Sequence, residues 1–348
     1  MKTIKLIYIL SIVLLMAIGC AKKNAAVDNR TTGQDVWLVN TDDIIHFGAE
    51  KDKIKSIDTP IFVPVRDVGL DDNALVYAFH YEGVTKVYPQ SVMGMHEIVN
   101  DKIGTYYYSV SFCPRTESTL AWNRMINGKI TEFGVSGMLY KENLIPYDRN
   151  TISHWSQMKN LCINGSFIGI QPETGLLVET TFALIKNAYP DALVLDHELC
   201  TEGSCGTGGG REFGDPGNGD ETTILPPEAR YFGVLKDENL LLFELTLFAG
   251  STRVIETRFG NMNLVVAGNF EEHLFLAFIK DSRLKATKYY AVQNSLPVVM
   301  KDDIGNEYDM FGVIVKGPDK GIRLNSPVAY LAQTFAWQTL FSSITVFK

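Results

Sequence analysis

The sequence predicts an α+β fold dominated by β-strands, in which two tandem repeats of an antiparallel sheet unit with short helices pack about a pseudo-two-fold axis. Short runs rich in β-branched and aromatic residues outnumber helical patterns, as is typical of sheet proteins. Of the 348 residues, 46% are hydrophobic, which is enough to form a large core. Ordered sequence matches between the two halves of the chain predict the repeat.

Residues 1–19 are predicted to be a lipoprotein signal peptide. Lys2 and Lys5 precede an apolar run over residues 6–18 that is too short to cross a bilayer as a helix. Gly19 followed by Cys20 resembles a bacterial lipobox, in which the cysteine receives a lipid anchor built from acyl chains such as palmitate. Ala21 after the cysteine favours the outer membrane, facing the periplasm. An ordinary secretory signal, cleaved nearby, is the alternative.

Charge and compartment exclude several classes of function. The net charge is −8 and the Lys and Arg residues are scattered, so nucleic acid is not an expected partner. Export leads to an oxidising compartment without ATP, and the sequence has no glycine-rich phosphate loop. These observations exclude kinases, NTPases and dehydrogenases. Five cysteines are too few for a disulfide-stabilised scaffold.

The elements after the signal peptide are predicted in order along the chain. Residues 20–40 form a flexible tether, because residues 21–34 are polar and lack periodicity. Asn127-Gly128 predicts a two-residue hairpin turn, since both central positions of a type I′ turn need positive φ. Helical patterns cover residues 90–99 and 179–189. Predicted strands cover residues 61–65, 75–79, 105–112, 120–126 and 129–135.

The repeat sets the predicted domain boundaries. Leu120 and Leu276 begin similar pentapeptides, and Gly104 and Gly260 recur at the same offset. The helix that starts near Thr181 has a counterpart near Thr334. The first repeat is predicted over residues 41–200, a glycine-rich linker over 201–222, and a second, degenerate repeat over 223–348.

A candidate site lies in the first repeat. His96 and Glu97 stand at the end of a predicted helix, and the following strand ends at Cys113. An imidazole near a thiol either lowers the thiol pKa for nucleophilic catalysis or shares a metal with it. In the catalytic reading Cys113 is the nucleophile, His96 the base and Glu97 the residue that orients the ring. In the metal reading His96 and Cys113 bind copper or zinc, with Glu97 or His154 as a third ligand.

The second repeat offers an internal comparison. The position of Cys113 corresponds to Asn269, and that of His96 to Ser251 or Thr252. Because the second repeat lacks both residues, the fold does not require them, and a functional role in the first repeat is favoured.

Cys200 and Cys205 flank the linker. They are candidates for a small structural disulfide in the oxidising periplasm.

Several motifs occur in order from residue 44 to the C-terminus, and together they resemble the bacterial domain of unknown function 3179 family, whose members are usually exported or membrane-associated. Members usually carry Tyr-Cys-Pro-x-Cys, but here Thr116 replaces the second cysteine. A hydroxyl cannot resolve a mixed disulfide, so a dithiol mechanism is disfavoured. The motifs are Ser56-Ile57-Asp58-Thr59-Pro60, Val87-Tyr88-Pro89, His96-Glu97-Ile98-Val99-Asn100-Asp101, Phe112-Cys113-Pro114, Phe133-Gly134-Val135-Ser136-Gly137, Tyr147-Asp148-Arg149 and Trp155-Ser156-Gln157.

Three functions follow from these observations, and the resemblance assigns no reaction that would choose among them. The first is a lipid-anchored envelope protein with a single-thiol Cys/His site that acts on a small substrate or a thiol partner. The second is a copper or zinc protein. The third is a non-catalytic binding lipoprotein of the envelope, in which Cys113 is residual.

Overall fold

A computed structural model describes residues 36–46, 50–196 and 229–348. The predicted signal peptide, Cys20, the Cys200–Cys205 pair and the linker over 201–222 lie outside the described residues. Within the described ranges, no helix combines the length and the hydrophobicity that crossing a membrane requires.

Short strands make up most of the described chain. The first half contains β1 (Ile44–His46), β2 (Phe62–Pro64), β3 (Leu75–Tyr81), β4 (Val84–Pro89), α1 (Gln90–His96), β5 (Ile98–Ile103), β6 (Tyr106–Cys113), β7 (Ser118–Asn123), β8 (Met125–Ile126), β9 (Lys129–Ile130), β10 (Phe133–Tyr140), β11 (Asn143–Asp148), β12 (His154–Ser156), β13 (Leu161–Asn164), β14 (Thr174–Gly175), β15 (Leu177–Thr181), α2 (Phe182–Ala188) and β16 (Leu193–Leu195). The second half contains β17 (Arg230–Lys236), β18 (Asn239–Glu244), β19 (Arg253–Phe259), β20 (Met262–Asn269), β21 (Leu274–Ile279), β22 (Tyr289–Ala291), β23 (Val298–Asp302), β24 (Glu307–Asp309), β25 (Ile314–Lys316), β26 (Val328–Gln333), α3 (Thr334–Leu340) and β27 (Ser343–Val346).

These strands form small, mostly antiparallel sheets, which confirms the predicted β-dominated α+β class. The larger sheets of the first half have the orders β15-β3-β4-β16-β2, β14-β7-β6-β5 and β1-β10-β11-β12-β13. Those of the second half have the orders β26-β17-β18-β27, β19-β20-β21 and β22-β23-β24-β25. Two strand pairs are parallel, β4–β16 and β18–β27. In each pair the second strand comes after a helix that returns the chain to the sheet.

Residues that predicted the repeat lie in a three-stranded meander in each half of the chain. Leu120 lies in β7 and Leu276 in β21, each in the third strand of a three-stranded meander. Gly104 and Gly260 lie in the corresponding tight turns, with φ of 56° and 58°. The pseudo-two-fold relation between the repeats stays a prediction.

Local chemistry explains where the predicted elements end. Asn127 and Gly128 have φ of 48° and 75° and connect β8 to β9, as the hairpin prediction requires. The helix predicted over residues 90–99 ends at His96, because Glu97 is left-handed and the chain then pairs as β5. The helix predicted over 179–189 begins only at Phe182, where the Thr181 side chain accepts a hydrogen bond from Leu184 N.

The two halves share their cores. One buried cluster contains Trp122 and Trp155 from the first half with Trp337 from the second. Arg230 crosses between the halves, and its Nη1 lies 2.7 Å from Glu179 Oε1. The described residues accordingly lie in one compact unit.

The last part of the predicted tether packs against the first repeat. Leu38 N donates to Ile163 O at 2.9 Å. The Trp37 ring stacks on His154 with centroids 5.3 Å apart. Residues 36–40 are therefore held by the body of the protein, because Trp37 gains an aromatic partner there.

Candidate functional site

The end of α1 and the end of β6 lie next to each other. The β5–β6 ladder begins with the pair Ile98 and Ser111, and beyond it Phe112 N donates to Glu97 O at 2.7 Å. His96 and Cys113 directly flank these two residues, but His96 belongs to α1 and is not a member of the ladder. The turn at Glu97, which has φ of 58°, lets the chain pass from α1 into this ladder within one residue.

The Cys113 thiol lies in a buried environment. The residue is 2% exposed, and its Sγ contacts Glu142 O at 3.7 Å. Burial raises the pKa of Cys113 and the charge of Glu97 adds to this effect, whereas a hydrogen bond with Thr116 opposes it. The sulfur is therefore a protonated thiol at neutral pH, not the resting thiolate that a lowered pKa would give.

A backbone carbonyl orients the His96 ring. His96 Nδ1 lies 2.8 Å from Lys55 O, and since a carbonyl only accepts, Nδ1 carries the proton. A neutral ring of this tautomer has its lone pair on Nε2, the form that a general base needs. The contact that fixes the ring is thus the Lys55 carbonyl, and the orienting role of Glu97 stays a prediction.

A buried network of hydroxyl and amide groups lies beneath Cys113. Thr116 Oγ1 and Ser118 Oγ share a hydrogen bond of 2.8 Å, and Ser118 Oγ donates to Gln157 Oε1 at 2.8 Å. Asn143 Nδ2 donates to Thr116 Oγ1 at 3.0 Å and to Gln157 Oε1 at 2.9 Å. Gln157 Nε2 donates to Ser111 Oγ at 3.0 Å. The Thr116 hydroxyl is therefore part of this network.

Sequence reasoning missed most of this network. Gln157 belongs to the Trp155-Ser156-Gln157 motif, which contributed to the family resemblance but had no assigned function. Asn143 belongs to no motif, and it reaches Thr116 only because β11 packs against the end of β6.

An ion pair fastens the turn that follows Cys113. Arg115 Nη2 contacts Glu142 Oε2. Glu142 lies in the turn between β10 and β11, so this pair connects two hairpins. The turn over residues 114–117 is therefore held on its outer side by the Arg115–Glu142 ion pair and on its inner side by the hydrogen bonds of Thr116 in the buried network.

His154, the alternative third metal ligand, lies on β12 in a different setting. Its Nδ1 is 2.9 Å from Asn164 Oδ1. Burial lowers the pKa of His154, so the ring is neutral at neutral pH. Across residues 36–46, 50–196 and 229–348, no group of three or more His, Cys, Asp or Glu side chains is arranged to hold a metal ion. Copper or zinc binding by His96 and Cys113 stays a prediction.

Two residues of the second half bear on the predicted repeat, in which Asn269 takes the position of Cys113 and Ser251 or Thr252 that of His96. The β19–β20 ladder, continued by one pair, places Thr252 opposite Asn269. Asn269 Nδ2 donates to Thr252 Oγ1 at 3.2 Å. The correspondence of these two residues with His96 and Cys113 stays a prediction.

A second cluster of charged side chains surrounds Arg149. Its Nη1 lies 2.5 Å from Asp58 Oδ2 and 3.3 Å from Glu132 Oε2. Its Nη2 donates to Ser56 Oγ at 2.8 Å and lies 3.5 Å from Asp52 Oδ1. Residues from two sequence motifs, Ser56–Pro60 and Tyr147–Arg149, thus meet at one place on the surface.

Comparison with known proteins agrees with the motifs. The family described as "Protein of unknown function (DUF3179)" matches residues 51–343. No curated protein and no solved structure matches the chain. The matched range includes the Cys113 turn, the His96 position and the Arg149 cluster, and the chain belongs to the DUF3179 family.

Proposed function

We propose that this chain is a lipid-anchored protein of the bacterial cell envelope, attached through Cys20 to the outer membrane and facing the periplasm. In this proposal Cys113 and His96 form a thiol–imidazole pair that acts on a small substrate or a thiol partner. The observation that supports the proposal is the hydrogen bond from Phe112 N to Glu97 O at 2.7 Å, which brings the end of α1 next to the end of β6. The hydrogen bond from His96 Nδ1 to Lys55 O supports it, because Nε2 is then the basic nitrogen.

The raised pKa of Cys113 determines how such a site works. The thiol is protonated at rest, so the proton moves to His96 Nε2 as the sulfur attacks. The sulfur lone pair forms a bond to the electrophilic atom of the substrate, and the leaving group departs with the proton from His96. If the partner is a disulfide, Cys113 forms a mixed disulfide and releases one thiol. Because Thr116 cannot resolve that intermediate, a second thiol partner must do so.

A non-catalytic binding role in the envelope is the second candidate. The 2% exposure and the raised pKa of Cys113 favour it, since both slow the attack of a thiol on any electrophile. In this alternative the Cys113 turn is a rigid part of a recognition surface.

Site-specific alkylation separates the two candidates. The full-length protein is treated with iodoacetamide at neutral and alkaline pH, and the labelled fraction of each cysteine-containing peptide is measured by mass spectrometry. Cys162 is an internal control, because it is buried and desolvation raises its pKa to about 12.

A thiol–imidazole pair predicts that Cys113 is labelled faster than Cys162 at neutral pH. His96→Gln should then slow the labelling of Cys113 alone. If Cys113 is as slow as Cys162 at every pH, the catalytic proposal fails and the binding role is favoured.

The lipid anchor has its own experiment. Cells that express the chain are labelled with a palmitate analogue, and Cys20→Ala is the matched variant. Incorporation that depends on Cys20 supports the anchor, and equal incorporation in the variant contradicts it.

A further inference from the structure

The carbonyl that orients His96 belongs to a segment held against two sheets, here called the strap (residues 50–58). Asp52 N donates to Val135 O of β10 at 2.9 Å. Ile57 N donates to Ile98 O of β5 at 2.9 Å. Lys55 lies between these two points, and its carbonyl accepts the His96 Nδ1 proton.

We infer that Arg149 is a positioning residue for His96, acting through the strap. Arg149 contacts Asp52, Ser56 and Asp58, which are three of the nine residues of the strap and lie on both sides of Lys55. A guanidinium can serve these partners at once, because its donors point in fixed, divergent directions. Arg149 therefore adds side-chain contacts on both sides of the Lys55 carbonyl to the two backbone hydrogen bonds that hold the strap.

Asp58, the strap carboxylate closest to Arg149, is also held by a buried side-chain amide. Asn100 is 1% exposed, and its Nδ2 donates to Asp58 Oδ1 at 2.7 Å and to Phe133 O at 2.8 Å. Asn100 Oδ1 accepts from Phe133 N at 2.9 Å. Asp58 thus connects a rigid amide in β5 with the guanidinium of Arg149.

Removing the Arg149 guanidinium replaces the attraction that holds the strap carboxylates by repulsion from neighbouring carboxylates. Without Arg149, the carboxylates of Asp52 and Asp58 would be left close to Glu132 without the cation that they share. Glu132 keeps Arg124, whose Nη2 lies 3.5 Å away, but the strap carboxylates lose their ion pair with Arg149. Repulsion then favours a strap that moves away from β10 and β11, and the Lys55 carbonyl moves with it.

The experiment reads the tautomer of His96 directly. The full-length chain is labelled with ¹⁵N-histidine, and the ring resonances of its six histidines are recorded in wild type, Arg149→Gln and Arg149→Lys. His96→Gln identifies the His96 signals. Arg283→Gln is the matched control, because Arg283 forms an exposed ion pair with Asp281.

The wild type is expected to show mainly the Nδ1–H tautomer for His96. Loss of one neutral hydrogen bond should shift the tautomer ratio toward Nε2–H by about three- to tenfold in Arg149→Gln. Arg149→Lys keeps the charge without the fork and should lie between the two, and Arg283→Gln should match the wild type. Ser56→Ala, which removes a single strap contact, gives a milder variant should Arg149→Gln fail to fold.

An unchanged His96 tautomer in folded Arg149→Gln, or in Ser56→Ala if only that variant folds, would overturn the inference. The catalytic meaning of this positioning rests on the proposed function, but the tautomer does not depend on thiol chemistry. A tautomer shift together with a Cys113 as slow to alkylate as Cys162 would support the positioning role and reject the proposed catalysis.

Discussion

Asn143 joins the buried network beneath Cys113, and its replacement by alanine is expected to destabilise the fold. The side chain is fully buried, and its Oδ1 accepts from Met158 N at 3.0 Å. In Asn143→Ala the Met158 N–H loses this acceptor. Thr116 Oγ1 and Gln157 Oε1 lose a donor but keep their hydrogen bonds with Ser118.

The size of the effect follows from this account. One buried backbone donor left unsatisfied costs about 1–3 kcal/mol, and a cavity of a few atoms adds about 1 kcal/mol. The three side-chain acceptors of Asn143 Nδ2, which are Thr116 Oγ1, Ser118 Oγ and Gln157 Oε1, add less, since each keeps another partner. We therefore expect the free energy of unfolding to fall by about 2–4 kcal/mol in Asn143→Ala.

Urea denaturation followed by tryptophan fluorescence measures this difference. Asn150→Ala is the matched control, because Asn150 is exposed and its Nδ2 donates to Ile130 O at 2.8 Å. A surface hydrogen bond of this kind should contribute no more than about 0.5–1 kcal/mol. If both variants lose the same free energy, the network does not stabilise the fold as argued here.

Two further predictions concern acidification and close packing. Burial lowers the pKa of His80 to about 4, so between pH 6.5 and pH 4 the unfolded chain binds a proton there that the folded chain does not. The stability that His80 contributes is present above pH 6.5 and is lost as the pH falls toward 4. Across this range the urea midpoint should fall less steeply for His80→Gln than for the wild type. Equal slopes for the two proteins would contradict the lowered pKa of His80. Gly134→Ala should lower the free energy of unfolding by about 1–3 kcal/mol, because a Cβ there would lie 2.6 Å from Asp52 Oδ1. A Cβ at Gly69 would have no neighbouring atom within 4 Å, so Gly69→Ala is the control in thermal unfolding.

Local sequence patterns predicted the parts of this fold that depend on neighbouring residues. Asn127-Gly128 specifies its hairpin because both residues tolerate positive φ. The boundary of the first helix was less well predicted, since its end depends on the pairing of β5 with β6. Glu97 takes a left-handed conformation there, which no periodicity indicates.

The candidate site was predicted only in part, for a physical reason. His96 and Cys113 are 17 residues apart in the sequence, and the hydrogen bond between their neighbours Glu97 and Phe112 depends on the local β5–β6 pairing. The contacts that define their state come from distant segments, such as the Lys55 carbonyl and Asn143. The burial that raises the Cys113 pKa depends on the packing of several strands, and a sequence motif carries no information about it.

The shared core of the two repeats has a consequence for how the chain reaches its native state. Trp122 and Trp155 lie in one cluster with Trp337, which is contributed by the last helix. When a chain is synthesised from its N-terminus, the Trp122 and Trp155 rings are present before α3 can cover them. An exposed aromatic surface of this kind promotes aggregation of partly folded chains. The first half of the chain alone should therefore aggregate more readily than the whole chain.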